Sequence, residues 1–264
     1  MSGVAIVTGA GRGIGASTVA ALAAEGRRVV AVDRGSDDPR LPYAMASAAE
    51  LADVVAAAND AAGEEVARIE VADATDATAM AAVVGRAEEW GGVEIIVANA
   101  GVIAGGVPAW ELSQAEEDAV VEVCLRSVMV AARVGVPALL RRPEPRAGRF
   151  IATASAASLR GLPGLAAYCA AKAGVSGFVR ALGADLRGTG VTAAAVAPGS
   201  TDTPILAESA RLYALDGAPA FASQQPIERL IDPAEIATAI AFLCGPGGAA
   251  ITGTTLPVDG GLSI

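Results

Sequence analysis

A short apolar run, Val4-Ala-Ile-Val7, passes directly into Thr8-Gly-Ala-Gly-Arg-Gly-Ile-Gly15 and then into an alanine-rich stretch. This order constrains the fold more than any other part of the chain. Apolar residues bounded by glycines read as a buried strand, and a glycine-rich turn between a strand and a helix opens a βαβ unit. Gly9, Gly13 and Gly15 permit a tight turn and a close approach to the backbone. The helix N-terminus behind them presents unpaired N–H groups to an anion such as a pyrophosphate. A plain glycine-rich turn would use the same residues, but strand, spacing and helix agree on the first reading.

The same alternation continues along the chain. Apolar runs at 4–7, 28–32, 65–71, 94–98, 149–154, 191–197 and 254–258 alternate with amphipathic stretches near 14–26, 47–62, 76–90, 113–141, 166–187 and 233–244. Strands separated by helices predict a parallel sheet covered on both faces. The expected architecture is a Rossmann-type, doubly wound α/β sheet of about seven strands in three layers. Aromatic residues make up only 3% of the chain, so Ala and Val must fill the core. No repeat or shift of composition marks a second domain, so residues 1–264 read as one unit. Two connections exceed ordinary length, an insertion at about 34–64 and a segment at about 199–232. Both follow strand C-termini, where such sheets bind ligands, and long connections there are lids or disordered loops.

Several classes of function are excluded early. The net charge of −10 argues against a nucleic-acid partner, and Arg141, Arg142 and Arg146 read as a solvated loop. The chain has no histidine, which removes Ser-His-Asp and Cys-His chemistry and His-containing zinc sites. Cys124, Cys169 and Cys244 lack CxxC spacing, so neither a metal site nor a disulfide framework is expected. No apolar run reaches the length of a membrane span. The chain begins in a strand rather than a signal peptide, and a cytoplasmic location follows.

The candidate chemistry lies in Tyr168-Cys-Ala-Ala-Lys172. On a helix over 166–187 these two residues share one face. An ammonium beside a phenol favours the phenolate, lowering the Tyr pKa from about 10 towards neutral. A phenol tuned that way exchanges a proton with an alcohol or carbonyl oxygen. Ser155, thirteen residues upstream, could donate a hydrogen bond to that oxygen. Asp33 closes the second strand, where a carboxylate accepts the ribose hydroxyls of an adenosine and repels a 2′-phosphate. This favours NAD over NADP, with Arg34 next to it working the other way. Asp73 fits either an adenine contact or an exposed turn. Asn99-Ala-Gly101 either lets a cofactor lie against the backbone or simply ends a strand. Leu159, Leu162 and residues 205–221 read as an apolar substrate pocket under a lid, or as ordinary core or subunit contacts.

Together these motifs resemble the short-chain dehydrogenase/reductase family. Its TGxxxGxG, NAG, Ser…YxxxK and PGxxxT patterns appear in order as Thr8–Gly15, Asn99–Gly101, Ser155…Tyr168–Lys172 and Pro198-Gly199…Thr203, and Val258-Asp-Gly-Gly261 follows near the end. The resemblance implies hydride transfer between an alcohol and a carbonyl with a nicotinamide cofactor. Ser155, Tyr168 and Lys172 would then be catalytic. Gly9, Arg12, Gly13, Ile14, Asp33, Asp73, Asn99, Gly101, Tyr168, Lys172, Pro198, Gly199 and Thr203 would hold the cofactor. The backbone at Val102 would join them, and Lys172 would bind the nicotinamide ribose. The resemblance also implies a homo-oligomer, tetramer or dimer, through the long helices. The enlarged segment after Asp33, with residues 100–106 and 139–146, looks like the mycofactocin-coupled subfamily. That likeness implies an NAD that does not exchange freely, gives its electrons to mycofactocin and lies under the insertion. An ordinary, freely exchanging dehydrogenase and a nucleotide-binding sensor are the rival readings. One residue departs from the family pattern: Cys124 stands where an Asn usually holds a proton-relay water. A thiol donates and accepts weakly, so the relay is impaired or rerouted, or Cys124 is merely packed.

Overall fold

The computed structural model describes residues 3–264. Among them, β1 (Val4–Thr8), β2 (Arg28–Asp33), β3 (Ala67–Val71), β4 (Val93–Ala98), β5 (Arg149–Thr153), β6 (Thr192–Pro198) and β7 (Thr254–Val258) form one parallel sheet. The strand order is β3-β2-β1-β4-β5-β6-β7. The central strands are apolar throughout because both faces are covered. Successive residues feed opposite cores: Val4 and Ile6 join one, Ala5 and Val7 the other. The first core is roofed by α3 (Ala77–Gly91), α5 (Ser127–Arg141) and α6 (Ala166–Asp185), the second by α1 (Gly13–Ala24), α2 (Ala48–Ala62) and α8 (Pro233–Cys244). This is the expected three-layer fold. Alanine does the expected filling, since Ala193, Ala194, Ala195 and Ala197 of β6 are fully buried.

The differences from expectation are local. Strand β3 starts at Ala67 rather than Glu65 because Asn59 Oδ1 accepts from both Val66 N and Ala67 N, each at 2.8 Å, and holds the approach as a turn. The stretch 113–141 is not one α-helix. It runs as α4 (Gln114–Val121), a π-helical turn at Glu122–Arg126, and α5, with Cys124 inside the wide turn. The lid segment contains a helix that the apolar pattern did not show, α7 (Pro204–Leu212), started by Thr203 as N-cap and Pro204 at its first position.

One expectation is corrected outright. Residues 114–141 are long and apolar enough, with a mean hydropathy of 1.7 over their best window, to pass a compositional test for a membrane span. Half of that window is buried inside the fold, where Val128, Val130, Ala131, Ala138 and Leu139 belong to the core under β4 and β5. The arginine cluster that follows is spent locally: Arg146 pairs with Glu144 at 2.7 Å and Arg141 with Glu88 at 3.4 Å.

The strand order reverses at β1, whose neighbours are β2 and β4. All strands end on one edge, so a crevice opens at the reversal, the position where open α/β sheets bind ligands.

Candidate functional site

At that edge lies a cavity of about 520 Å³, within the range of small-molecule and cofactor sites. Its floor is the turn between β1 and α1. Gly9 and Gly13 have φ of 65° and 56°, a left-handed conformation that favours glycine. A Cβ at Gly15 would stand 1.9 Å from Gly9 O, so no other residue fits there without moving the turn. The backbone is thereby left bare toward the cavity, with the N-terminus of α1 behind it.

The turn is held from the side by Asn99. Its Nδ2 donates to Thr8 O and Gly9 O, both at 3.2 Å, and its Oδ1 accepts from Thr153 Oγ1 at 3.0 Å. Thr8 Oγ1 accepts in return from the amides of Asn99 and Ala100. The Asn99 side chain therefore joins the ends of β1, β4 and β5, and its hydrogen-bonding groups are engaged with protein. At the end of β2, Asp33 accepts from Gly11 N at 2.9 Å and Gly35 N at 3.3 Å. Arg34 is held by Asp38 at 3.0 Å, with Asp73 3.8 Å away. The other oxygen of Asp73 closes an Asx turn on Thr75. On the far wall Gln225, fully buried, clamps the loop after β6 by accepting from Ser200 N and donating to Ser200 O and Arg229 O. It packs so close that a Cβ at Gly199 would lie 2.3 Å from its Oε1.

Opposite the glycine turn stand Ser155, Tyr168 and Lys172. Ser155 follows β5 and caps a short 3₁₀ turn, accepting from Ala157 N. Tyr168 lies in the first turn of α6, and Lys172 one turn further on sends Nζ to Thr153 O at 2.8 Å. Ser155 stands close enough to the Tyr168 phenol to act on it. Burial raises the Tyr168 phenol above its usual range, with Ser155 working against it, and burial lowers the Lys172 ammonium. The sequence argument had the ammonium pulling the phenol down. In the folded protein desolvation dominates, because Lys172 is buried, Tyr168 is half-buried and Nζ is 5.8 Å from the ring centre.

Cys124 is buried within the π-turn. Its thiol donates to Val102 O at 3.1 Å and accepts from Val102 N at 3.4 Å. A Cβ at Gly101 would stand 3.5 Å from Lys172 Nζ and 3.9 Å from Cys124 Sγ. The thiol thus reaches the neighbourhood of Lys172, but both its hydrogen bonds are closed on one backbone residue.

Two segments cover the cavity. The first half of the insertion, residues 34–47, has no regular structure but is closely tied down. Asp38 is buried and accepts from Arg34 and, at 2.7–3.0 Å, from three nitrogens of Arg40, contacts that hold its carboxyl far below the usual range. Arg40 continues to Glu122 at 2.6 Å. Tyr43 OH accepts from Ile103 N at 2.8 Å, and Arg12 donates to Ala44 O at 2.8 Å. In the sequence Asp38, Arg40 and Tyr43 are marked only as part of the enlarged segment after Asp33, with no individual role. On the other side α7 and the turn after it close down through Tyr213 OH, which donates to Pro163 O at 2.6 Å. Leu162, Ile205, Leu206 and Phe221 line the cavity here. Leu159 does not. The turn at 156–158 carries it to the outer surface, where it is 45% exposed beside Cys169. Every other residue singled out for catalysis or cofactor binding lines this one cavity except Gly15, which lies behind the turn.

A sequence model described as "Enoyl-(Acyl carrier protein) reductase" matches residues 9–263. The chain is 36% identical over 259 residues to the cis-4-hydroxycyclohexanecarboxylate dehydrogenase of Sinomonas cyclohexanicum, covering 98% of this chain and 95% of that one. Among solved structures it superposes on carveol dehydrogenase from Mycobacterium avium in complex with NAD, with a TM-score of 0.91 and 29% identity over 98% of this chain and 97% of that one. Levodione reductase gives a TM-score of 0.89 and 28% identity over 99% and 97%.

The three cysteines differ enough to be separated chemically. Cys124 is enclosed, and burial pushes the Cys244 thiol up to about 12, while Cys169 is partly exposed. Thiolates, not thiols, are alkylated. Iodoacetamide at pH 8 should therefore modify Cys169 alone in the native protein and all three cysteines in denaturant, as read by peptide mass spectrometry. Native labelling of Cys124 would show that the π-turn opens.

Proposed function

This chain belongs to the short-chain dehydrogenase/reductase family, and from that premise we propose an NAD-dependent enzyme that interconverts an apolar, alicyclic secondary alcohol and its ketone. The observation that carries the reading is the placement of the Ser155–Tyr168 pair in the same cavity as the bare glycine turn. The residues present fit a dinucleotide. Gly9 and Gly13, both with left-handed φ, line the cavity at the start of α1, and Gly15 lets the turn pack too closely for any Cβ, so bare backbone faces the place a pyrophosphate would take. Asp33 stands where adenosine ribose hydroxyls would be accepted. Arg34, the cation that could greet a 2′-phosphate, is engaged by Asp38 and faces Asp73, which favours NAD. Asp73, Ile14, Gly101, Val102, Pro198, Gly199 and Thr203 would complete the contacts, and Lys172 would take the nicotinamide ribose. The ring alcohols and ketones in the names of the relatives agree with the apolar wall of Leu162, Ile205, Leu206 and Phe221.

Bound there, the nicotinamide supplies the hydride acceptor or donor, and the protein supplies position and proton transfer. The Ser155 hydroxyl donates to the substrate oxygen and stabilises charge developing on it. Tyr168 gives its phenolic proton to that oxygen in reduction and removes the alcohol proton in oxidation. Lys172 is oriented by Thr153 O. Cys124 plays no part in the relay in this reading, because its two hydrogen bonds are already taken by Val102. We also take the enzyme to be a homo-oligomer, supported by Val121, Met129 and Phe242, which are exposed on α4, α5 and α8.

The reading extends to how the nucleotide is kept. The strap over 34–47 is bound to the glycine turn through Arg12, to the segment after β4 through Tyr43 and to the π-turn through Arg40. These ties support an NAD that stays bound between turnovers and is reoxidised in place by an acceptor of the mycofactocin type.

Three outcomes test this. Tyr168→Phe should lower kcat by about 10²–10⁴-fold, the scale of a lost general acid–base, and leave NAD affinity unchanged; near-normal turnover would sink the assignment. Because burial raises the phenol, the base form is scarce at neutral pH. The oxidation rate should therefore climb with pH to beyond pH ~10, the ordinary tyrosine value, while reduction stays flat. An oxidation plateau below pH 8 would mean that the Lys172 charge prevails. Finally, NAD should survive gel filtration with the protein and exchange slowly with isotopically labelled NAD, and Arg40→Ala combined with Tyr43→Phe should speed that exchange. Rapid exchange in the unmodified protein would make it an ordinary soluble-cofactor dehydrogenase.

A further inference from the structure

The cavity wall carries one charge that the reaction above does not use. Arg160, exposed on the turn joining Ser155 to Tyr168, lies at the mouth, lining both the cavity and the outer groove beside Leu159 and Cys169. Its Nη1 donates to Leu262 O at 2.6 Å, tying the side chain to the C-terminal turn. Among the described residues it has no other side-chain partner and no carboxylate within ion-pair distance. The tether leaves Nε and Nη2 free, and these two form the parallel N–H edge of a guanidinium that matches the two oxygens of a carboxylate.

Its surroundings sharpen the point. Of the other arginines of the cavity, Arg34 is neutralised by Asp38, while Arg12 lies at the glycine turn and donates to Ala44 O. Near Arg160 the wall is apolar, with Leu162, Pro163 and Leu165 following it in the chain. The protein as a whole carries a net charge of −10, so an anionic substrate meets general repulsion and needs a local cation. One guanidinium with one free edge suits a single-charged carboxylate better than a doubly charged phosphate ester, which would call for a second cation.

We propose that Arg160 is a substrate-binding residue that holds a carboxylate, and that the substrate is a hydroxy acid, or the matching oxo acid, whose carboxylate is separated from the reacting carbon by an apolar ring or chain. The proposal rests on the dehydrogenase reading for the reacting carbon, but the anion site itself can be tested without turnover.

The test uses the protein with NAD bound and three probes: a cyclohexanol carrying a carboxylate at carbon 4, the methyl ester of that acid, and the corresponding phosphate monoester. Binding is measured by calorimetry and turnover by steady-state kinetics, for the wild type, Arg160→Ala and Arg160→Lys, with folding checked by thermal melting. The wild type should prefer acid to ester in both Kd and KM. Arg160→Ala should reduce that preference by about ten- to a hundredfold, the usual effect of losing a charged hydrogen bond, and Arg160→Lys should restore part of it. Four outcomes would overturn the proposal: no binding of the acid, an unchanged preference in Arg160→Ala, an equal weakening of acid and ester, which would mark a purely structural tie to Leu262, or a phosphate ester bound more tightly than the acid through Arg160. If the wild type turned over neither acid nor ester, the dehydrogenase reading would fail, while the calorimetric preference and its loss in Arg160→Ala would still decide the anion site.

Discussion

The Asn99 side chain joins the ends of three strands, and the arrangement of the site depends on that junction. It donates to the carbonyls of Thr8 and Gly9 and accepts from Thr153, so β1, β4 and β5 finish at fixed relative positions. Each partner leads to a functional element. Gly9 begins the bare turn, and Thr153 lies two residues before Ser155 and presents the carbonyl that orients Lys172. Leaving one of these partly buried groups without a partner would cost about 1–3 kcal/mol, enough to displace the turn. One amide thus couples the glycine-turn end of the cavity to the end that holds Ser155, Tyr168 and Lys172.

Around this junction the cavity is enclosed by polar ties at its rim and apolar packing at its substrate end. The strap depends on Asp38, a buried carboxylate that is tolerable only because Arg34 and Arg40 both reach it. The same pairing holds Arg34, next to Asp33, against Asp38. The strap and the position of Arg34 are therefore linked through a single carboxylate. On the other side Tyr213 and the Leu206–Phe221 cluster hold the α7 segment against the turn that carries Arg160.

Much of this was legible in the chain itself. The strands were found because burial on both faces makes them short and wholly apolar, and the glycine turn because a strand and a helix flank it. Ser155, Tyr168, Lys172, Asp33 and the residues of the cofactor wall could be named because their spacing repeats a family pattern, and all of them line one cavity. What escaped was long-range or depended on burial. The π-turn at Cys124 leaves no periodic trace over five residues. Helix α7 is short and is set by its cap and Pro204 rather than by an apolar stripe. Asp38, Arg40 and Tyr43 lie in a segment without periodicity, and their partners at 103 and 122 are distant in sequence. Leu159 was misplaced because a single 3₁₀ turn decides which side of the loop faces the cavity.

The sequence by itself determined the alternation of strand and helix, the bare backbone after β1 and the residue types available for hydride and proton chemistry. These follow from local rules of periodicity, turn geometry and side-chain chemistry that do not need the rest of the chain. Only the tertiary structure decided the protonation tendencies of Tyr168 and Lys172, the spent thiol of Cys124, the engagement of Arg34 and the free edge of Arg160. Each of these depends on what solvent is excluded and which distant group arrives in its place. Burial can reverse the sign expected from two neighbouring charges, and a charge four residues from its partner in one segment can be neutralised or left open by a contact a hundred residues away.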